Sequence, residues 1–253
     1  MIARMGTRSG AVVCLPTYNE RENLANMVAA LEAVREREPD LDVLVIDDSS
    51  PDGTGAIADE LAITRPWLHV LHRPAKAGLG RAYVAGFGWA LARDYAQVLE
   101  MDCDFSHEPA RITALRDALR SGGADVALGS RYCPGGGVRN WGLARRIISA
   151  GGCTYARLLL SLGVRDLTGG FKCFRREVLE AVDLAALTAE GYAFQIEMTY
   201  RVIRLSYRVT EVPITFVDRV AGGSKMSRRI VFEAAWRVPQ LRLRALLGQI
   251  PRR

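Results

Sequence analysis

Five short apolar runs punctuate the first half of the chain, at Ala11–Leu15, Val43–Ile46, Leu68–Leu71, Gln97–Met101 and Asp125–Gly129. Runs of this length, closed by Pro, Asp or Gly, are strand signals. Between them the apolar spacing changes to that of helices. Leu24, Met27, Val28, Leu31 and Val34 line one face of a helix expected from about Arg21 to Arg35. Further helices are expected from Thr54, read as the N-cap, to about Ile63, over Leu79–Arg93, and over Pro109–Arg120 with proline in its first turn. Parallel strands need a long crossover, usually a helix, whereas antiparallel ones need only a turn. Strand and helix alternate four times here, which predicts an α/β fold with a mostly parallel central sheet and helices on both faces.

After Gly129 the alternation stops. A Gly-rich loop, Arg131–Trp141, leads into a helical stretch from about Leu143 to Leu162. Helices are expected near Arg175–Val182 and Phe194–Leu205, and Val209–Phe216 alternates like a strand that Pro213 confines to a sheet edge. At 253 residues, without repeat or linker, the chain suits one domain. Its five cysteines form no C-x-x-C pair, which speaks against zinc and a disulfide framework and fits a reducing compartment. No signal peptide is expected from residues 1–10, and no 18-residue stretch is apolar enough to span a bilayer. Residues 218–253 hold nine basic residues against two acidic ones, so the net charge of +6 belongs to this segment. That excess points to an anionic surface or ligand, not to nucleic acid. Pro239 is expected to divide the segment into two short helices.

The run at Gln97–Met101 ends in Asp102–Cys103–Asp104. Alternate residues of an extended chain share a side, so the two carboxylates stand together. Such a pair suits a hard divalent cation that completes its shell with phosphate oxygens. A solvated turn capping the next helix is an equal reading of the motif alone. Pro16, Tyr18, Glu20, Asp47 and Asp48 lie at the carboxyl ends of the first two runs, where open α/β sheets bind ligands. There an aromatic ring can stack on a base and a carboxylate can accept its hydrogen bonds. A plain βα turn explains them as well. Gly53-x-Gly55-x-x-Ala58 follows the second run and reads as a turn-to-helix signal, not a dinucleotide fingerprint. Arg131, Arg139, Arg145 and Arg146 suit phosphate, or a solvated basic face. The apolar stretch Ile147–Leu162 suits the core, or a membrane interface. His69, His72 and His107 have neither metal-ligand nor triad spacing.

Six segments in order carry a resemblance: PTYNERENL at 16–24, IDDSSPDGT at 46–54, KAGLGRAY at 76–83, MDCDFSHEP at 101–109, GSRY at 129–132 and VDRVAGGSKMS at 217–227. Together they resemble the dolichol- and polyprenol-phosphate mannose synthases of glycosyltransferase family 2, in particular their actinobacterial members. The resemblance spans about residues 11–227. It implies a GT-A fold, a Rossmann-like sheet, with a catalytic domain over 1–227 and a basic amphipathic tail of the same domain over 228–253. It implies inverting transfer of mannose from GDP-mannose to a polyprenyl phosphate, with Mg2+ or Mn2+ as cofactor. A polyprenyl-phosphate glucosyltransferase and a non-catalytic lipid-phosphate binding subunit are the alternatives.

By the same resemblance Pro16, Tyr18, Glu20, Ile46 and Asp48 would hold guanosine. Asp102, the backbone of Cys103, and Asp104 would meet ribose, diphosphate and metal, with Ser106 as a third metal contact. Arg131 would lie between donor and acceptor, and Arg145 and Ser149 on the acceptor phosphate. Arg219 and Lys225 would close over the diphosphate. Asp104, Arg131, Arg145 and Lys225 would carry catalysis, and Asp166, Gln195 and Glu197 are candidates for sugar hydroxyls. The sequence departs from the family at Cys103, where Ala is usual, and at Ser106, where some relatives have Gln. The expected location is the cytoplasmic face of the cell membrane, held peripherally or through a membrane-anchoring partner subunit.

Overall fold

The computed structural model describes residues 9–187, 189–218 and 228–252. The first half runs β1 (Ala11–Thr17), α1 (Arg21–Arg35), β2 (Leu41–Asp47), α2 (Thr54–Ile63), β3 (Leu68–His72), α3 (Leu79–Leu91), β4 (Gln97–Glu100), α4 (Arg111–Arg120) and β5 (Val126–Ser130). The second half adds β6 (Gly137–Arg139), α5 (Leu143–Leu160), β7 (Lys172–Arg175), α6 (Arg176–Ala181) and α7 (Gly191–Arg204). It closes with β8 (Val209–Pro213), β9 (Thr215–Val217) and α8 (Arg228–Leu246). The expected elements are all present, within a few residues at their ends.

The main sheet has the order β3-β2-β1-β4-β7-β5-β8. β3, β2, β1 and β4 are mutually parallel, and β5 pairs parallel with β8. Period-two alternation divides β1 between the two faces. Ala11, Val13 and Leu15 pack with α1 and with Ile112, Leu115 and Leu119 of α4. Val12 and Cys14 pack with Tyr83 and Phe87 of α3 and Phe194 and Met198 of α7. α3 sits so low on the sheet that a Cβ at Gly86 would lie 2.5 Å from Ile46 Cδ1. Only glycine allows that approach.

Three features differ from the expectations. β7 is antiparallel to both β4 and β5 and separates them. Its sequence hides it, because Lys172 and Arg175 break the apolar run. Lys172 is fully buried, and its ammonium donates to Glu100 Oε1, 2.6 Å away, in register on β4. The expected strand Val209–Phe216 splits at Ile214 into β8, at the sheet edge, and β9, which pairs with β6 in a second, two-stranded sheet. Gly53, with φ 87°, caps α2 in place of Thr54, whose N–H and hydroxyl both donate to Asp52 Oδ1.

The basic tail is one helix, with Pro239 inside it. Proline has no N–H to give the carbonyl four residues back, that of Ala235. The Tyr155 hydroxyl on α5 donates to that carbonyl instead, at 3.1 Å, so the helix continues. Val238, Leu241 and Ala245 are buried against Ala156 and Leu160 of α5 and Ile196 and Tyr200 of α7. Burying one Val or Leu contributes about 1.5–3 kcal/mol, so α8 is part of the folded core.

Candidate active site

The carboxyl ends of β1, β2 and β4 meet at one crevice. Pro16 ends β1 with Thr17, Tyr18 and Glu20 follow it, Asp48 follows β2, and Asp102, Cys103 and Asp104 follow β4. All seven line one cavity of about 200 Å3, together with Lys76 and Gly78 from the loop before α3. Each carboxylate is fixed by a neighbour. Asp48 accepts from Arg73 Nη1 at 2.6 Å. Glu20 accepts from Asn23 Nδ2 at 2.8 Å. Asp102 Oδ1 accepts from the Tyr83 hydroxyl at 3.1 Å, and Asp104 Oδ1 from the Ser106 N–H at 3.0 Å. Burial and the nearby Asp102 charge push the Tyr83 phenol up, so it remains a donor. Asp47 faces inward and holds the turn through Thr17 Oγ1 and Ser50.

Four carboxylates and one ammonium, that of Lys76, line this cavity among the described residues. An anionic diphosphate enters such a place only with a cation. Asp102 and Asp104 are hard oxygen donors, and the buried Ser106 hydroxyl beside them has no hydrogen-bond partner. No described cluster offers three His, Cys, Asp or Glu ligands. Mg2+ and similar cations need only one or two carboxylates when phosphates and water complete the shell. The residues present therefore fit a divalent cation brought in with a phosphate ligand. Tyr18 already carries a cation on its ring, with Lys76 Nζ 3.8 Å from the centroid.

A second cavity, of about 290 Å3, lies between α5, α7 and α8. Arg131, Ser149 and Thr168 contribute polar groups to a mostly apolar lining. Arg131, just past β5, is 6% exposed. Its Nε and Nη2 donate to the two oxygens of Asp166 at 2.7 and 2.6 Å, and Nη2 also to Thr168 Oγ1 at 2.7 Å. Burial works against the ionised Asp166, but the guanidinium outweighs it and holds that carboxyl below its usual range. The Ser149 hydroxyl accepts from Tyr132 at 2.8 Å. Arg145, one turn earlier on the same face of α5, reaches Asp218 Oδ2 at 2.6 Å and stacks on Trp141 at 4.3 Å. The 166–170 loop divides the two cavities. Thr168 lines the second, and a Cβ at Gly170 would lie 3.9 Å from both Asp102 carboxylate oxygens of the first.

Several expected contacts fall elsewhere. The Ile46 side chain is fully buried against α3 and is absent from the cavity lining, and its carbonyl accepts from Thr17 Oγ1. Asp166 is engaged by Arg131, Glu197 by Arg201 at 2.6 Å, and Gln195 Oε1 by Lys172. These contacts tie all three side chains into the surrounding frame. Arg219 and Lys225 lie outside the described residues. Lys76, Tyr83 and Thr168 were not singled out by sequence reasoning, although KAGLGRAY contains the first two. His107 is buried between Phe171 and Phe216, and burial lowers its pKa to about 4.

A model of the family described as Glycosyl transferase family 2 matches residues 12–183. The chain is 50% identical over 239 residues to a polyprenol monophosphomannose synthase of Mycolicibacterium smegmatis, covering 94% of this chain and 89% of that protein. It is 48% identical over 231 residues to an undecaprenyl-phosphate mannosyltransferase of Micrococcus luteus, covering 91% and 93%. Among solved structures, glucosyl-3-phosphoglycerate synthase of Mycobacterium tuberculosis in complex with phosphoglyceric acid superposes with a TM-score of 0.67 at 18% identity, over 92% of this chain and 80% of that one. The same enzyme with Mn2+, UDP-glucose and phosphoglyceric acid gives 0.64 at 19% identity, over 91% and 80%. The fold is therefore GT-A, and the chain belongs to glycosyl transferase family 2.

Proposed function

We propose that this chain transfers mannose from GDP-mannose to the phosphate of a polyprenyl phosphate, with inversion at the anomeric carbon. One observation carries the reading. An acidic cavity at the strand ends and an apolar cavity headed by an arginine lie on either side of one loop. A sugar nucleotide suits the first, and a lipid phosphate suits the second. The names of both relatives pair mannose transfer with a polyprenyl acceptor.

The chemistry asks little of a base. A phosphate monoester is already ionised at neutral pH, with its second pKa near about 6. The neutral, buried His107 is consistent with this. The remaining problem is charge and aim. Arg131, fixed by Asp166, offsets the repulsion between two anionic substrates. Arg145 and Ser149 hold the acceptor phosphate on α5, and Arg219 and Lys225, outside the described residues, would supply further positive charge to the donor diphosphate. Tyr18 and Asp48 hold the base. A divalent cation held by Asp102 and Asp104, with Ser106 as third contact, would supply positive charge to the leaving diphosphate. Solved relatives of the same fold carry Mn2+ or Mg2+.

The protein meets its acceptor by docking on the membrane surface. No described helix is long and apolar enough to cross a bilayer. Leu143, Ile147 and Leu158 of α5 and Trp236, Leu243 and Leu246 of α8 are nevertheless more than half exposed. Arg146, Arg157, Arg242 and Arg244 lie among them in sequence. Apolar side chains interspersed with cations suit the interface of an anionic bilayer.

Product analysis tests the reading. Purified protein is incubated with GDP-mannose or UDP-glucose, a prenyl phosphate, and Mg2+ or Mn2+. The expected product is a prenyl phosphate β-mannoside from GDP-mannose alone. A glucoside as the main product would replace mannose by glucose, and no product with either donor would leave only lipid-phosphate binding.

A further inference from the structure

The loop 166–170 stands between the two cavities and touches the working groups of both. Asp166 grips Arg131, Thr168 lines the apolar cavity, and Gly170 lies beside the Asp102 carboxylate. The backbone of this divider is tied down at both ends. The Arg165 and Asp166 N–H groups donate to the Glu211 carboxylate on β8, at 3.1 and 3.0 Å. The Gly169 carbonyl accepts from Lys172 Nζ at 2.8 Å.

The same ammonium donates to Glu100 Oε1 at 2.6 Å and to Gln195 Oε1. An ammonium has three donors. Here they go to three elements: the end of β4, just before Asp102, the divider, and α7. Lys172, Glu100 and Gln195 are each no more than 2% exposed. They are placed to hold the site, not to touch a substrate.

A buried ion pair is weak evidence for stability, because well-packed apolar side chains of similar volume often do as well or better. An apolar side chain cannot, however, donate to the Gly169 carbonyl. Gly169 also has little slack. A Cβ there would lie 3.2 Å from the Gly129 carbonyl oxygen and 3.6 Å from Asp166 Oδ1. A Cβ on Gly170 would lie 3.2 Å from Gln195 Nε2. A shift of the divider is therefore passed to Asp166, and through it to Arg131.

We propose that Lys172 is a positioning residue for the transfer. It acts through the Gly169 carbonyl, holding the divider so that Arg131 and Asp102 keep one relation while the two substrates meet. The proposal rests on the transferase reading above and adds to it a residue that touches neither substrate. Without Lys172 both substrates still bind, but they meet out of line.

Two variants test this. Lys172→Met with Glu100→Gln removes the ammonium and leaves no buried charge behind. Gly169→Ala keeps the buried cluster and pushes the divider off the Gly129 carbonyl. Each full-length protein is assayed with GDP-mannose and a prenyl phosphate in detergent, with GDP affinity by calorimetry and stability by urea unfolding. Misalignment of reacting groups lowers the rate of the bound complex, so kcat should fall about tenfold or more, with both KM values within about threefold and GDP affinity retained. A purely structural role would move the urea midpoint and leave kcat per folded molecule unchanged, and that result overturns the proposal. A rise in one KM alone also overturns it, because Lys172 would then serve a single cavity. If the double variant does not fold, Gly169→Ala decides alone, and an unchanged kcat there overturns the proposal while the transferase reading stands. If the unaltered protein forms no mannoside, the transferase reading fails, and the positioning role fails with it.

Discussion

Arg131 and Asp166 form a two-pronged, fully buried ion pair, Nε to Oδ2 at 2.7 Å and Nη2 to Oδ1 at 2.6 Å, and the same carboxylate accepts the Arg131 backbone N–H at 2.9 Å. Arg131, which lines the apolar cavity, is therefore held to Asp166 at three points, two of them on its guanidinium. Asp166→Ala would strand a buried cation, which typically costs about 3–5 kcal/mol. Urea unfolding should report a loss of that order. The double change Arg131→Met with Asp166→Leu should recover most of the stability and none of the turnover. Asp166 has a lowered folded pKa, so its contribution is full above about pH 4 and lost as the pH falls further.

Tyr83 aims Asp102. Its ring is stacked on Phe87 and Phe194, so Tyr83→Phe keeps the packing and removes only the donor to Asp102 Oδ1. A hydrogen bond to a charged group contributes about 1.5–3 kcal/mol. The variant should bind Mn2+ and GDP about tenfold more weakly, with an unchanged acceptor KM. Asp104→Ala should go further and reduce turnover by about 100-fold or more. Turnover near the unaltered level in Asp104→Ala would remove the metal assignment.

Arg145→Ala should raise the KM for the prenyl phosphate and leave GDP affinity intact, as measured by steady-state kinetics beside calorimetry. The reverse pattern would place Arg145 with the donor. Its ion pair with Asp218 also ties α5 to the residue before the 219–227 segment.

Vesicle sedimentation checks the membrane face. Because Val238, Leu241 and Ala245 are core residues, deleting the tail would unfold the protein and report nothing. Ile147→Glu with Leu158→Glu changes exposed positions only. Binding to anionic vesicles should fall, and added salt should weaken what remains. Equal binding by both proteins would assign the anchor to α8 or to a partner subunit.

The parallel half of the sheet was legible because β1, β2 and β4 are buried on both faces and read as apolar runs. The residues of the first cavity followed from it, since a parallel sheet collects its strand ends on one rim. β7 was not legible. A lysine in a strand reads as surface, and its burial is made tolerable by Glu100, 72 positions away, with Gly169 O and Gln195 Oε1. The arginine that holds Asp166 was not legible for the same reason, since Arg131 lies 35 positions from Asp166 and only the fold brings them together. Pro239 looked like a break because the compensating hydroxyl, on Tyr155, lies 80 positions before the Ala235 carbonyl it serves.

The antiparallel strand β7 also acts as a spacer. Neighbouring strands lie about 4.8 Å apart. With β7 between them, β4 and β5 lie about 10 Å apart. The carboxylates that follow β4 and the arginine that follows β5 stand on either side of that gap. On the proposed reading, the gap is where the sugar changes hands. Its width is a property of strand order, fixed by backbone hydrogen bonds before any side chain is chosen. Redesign of the loops could then change which sugar is carried, while the distance it travels would stay the same.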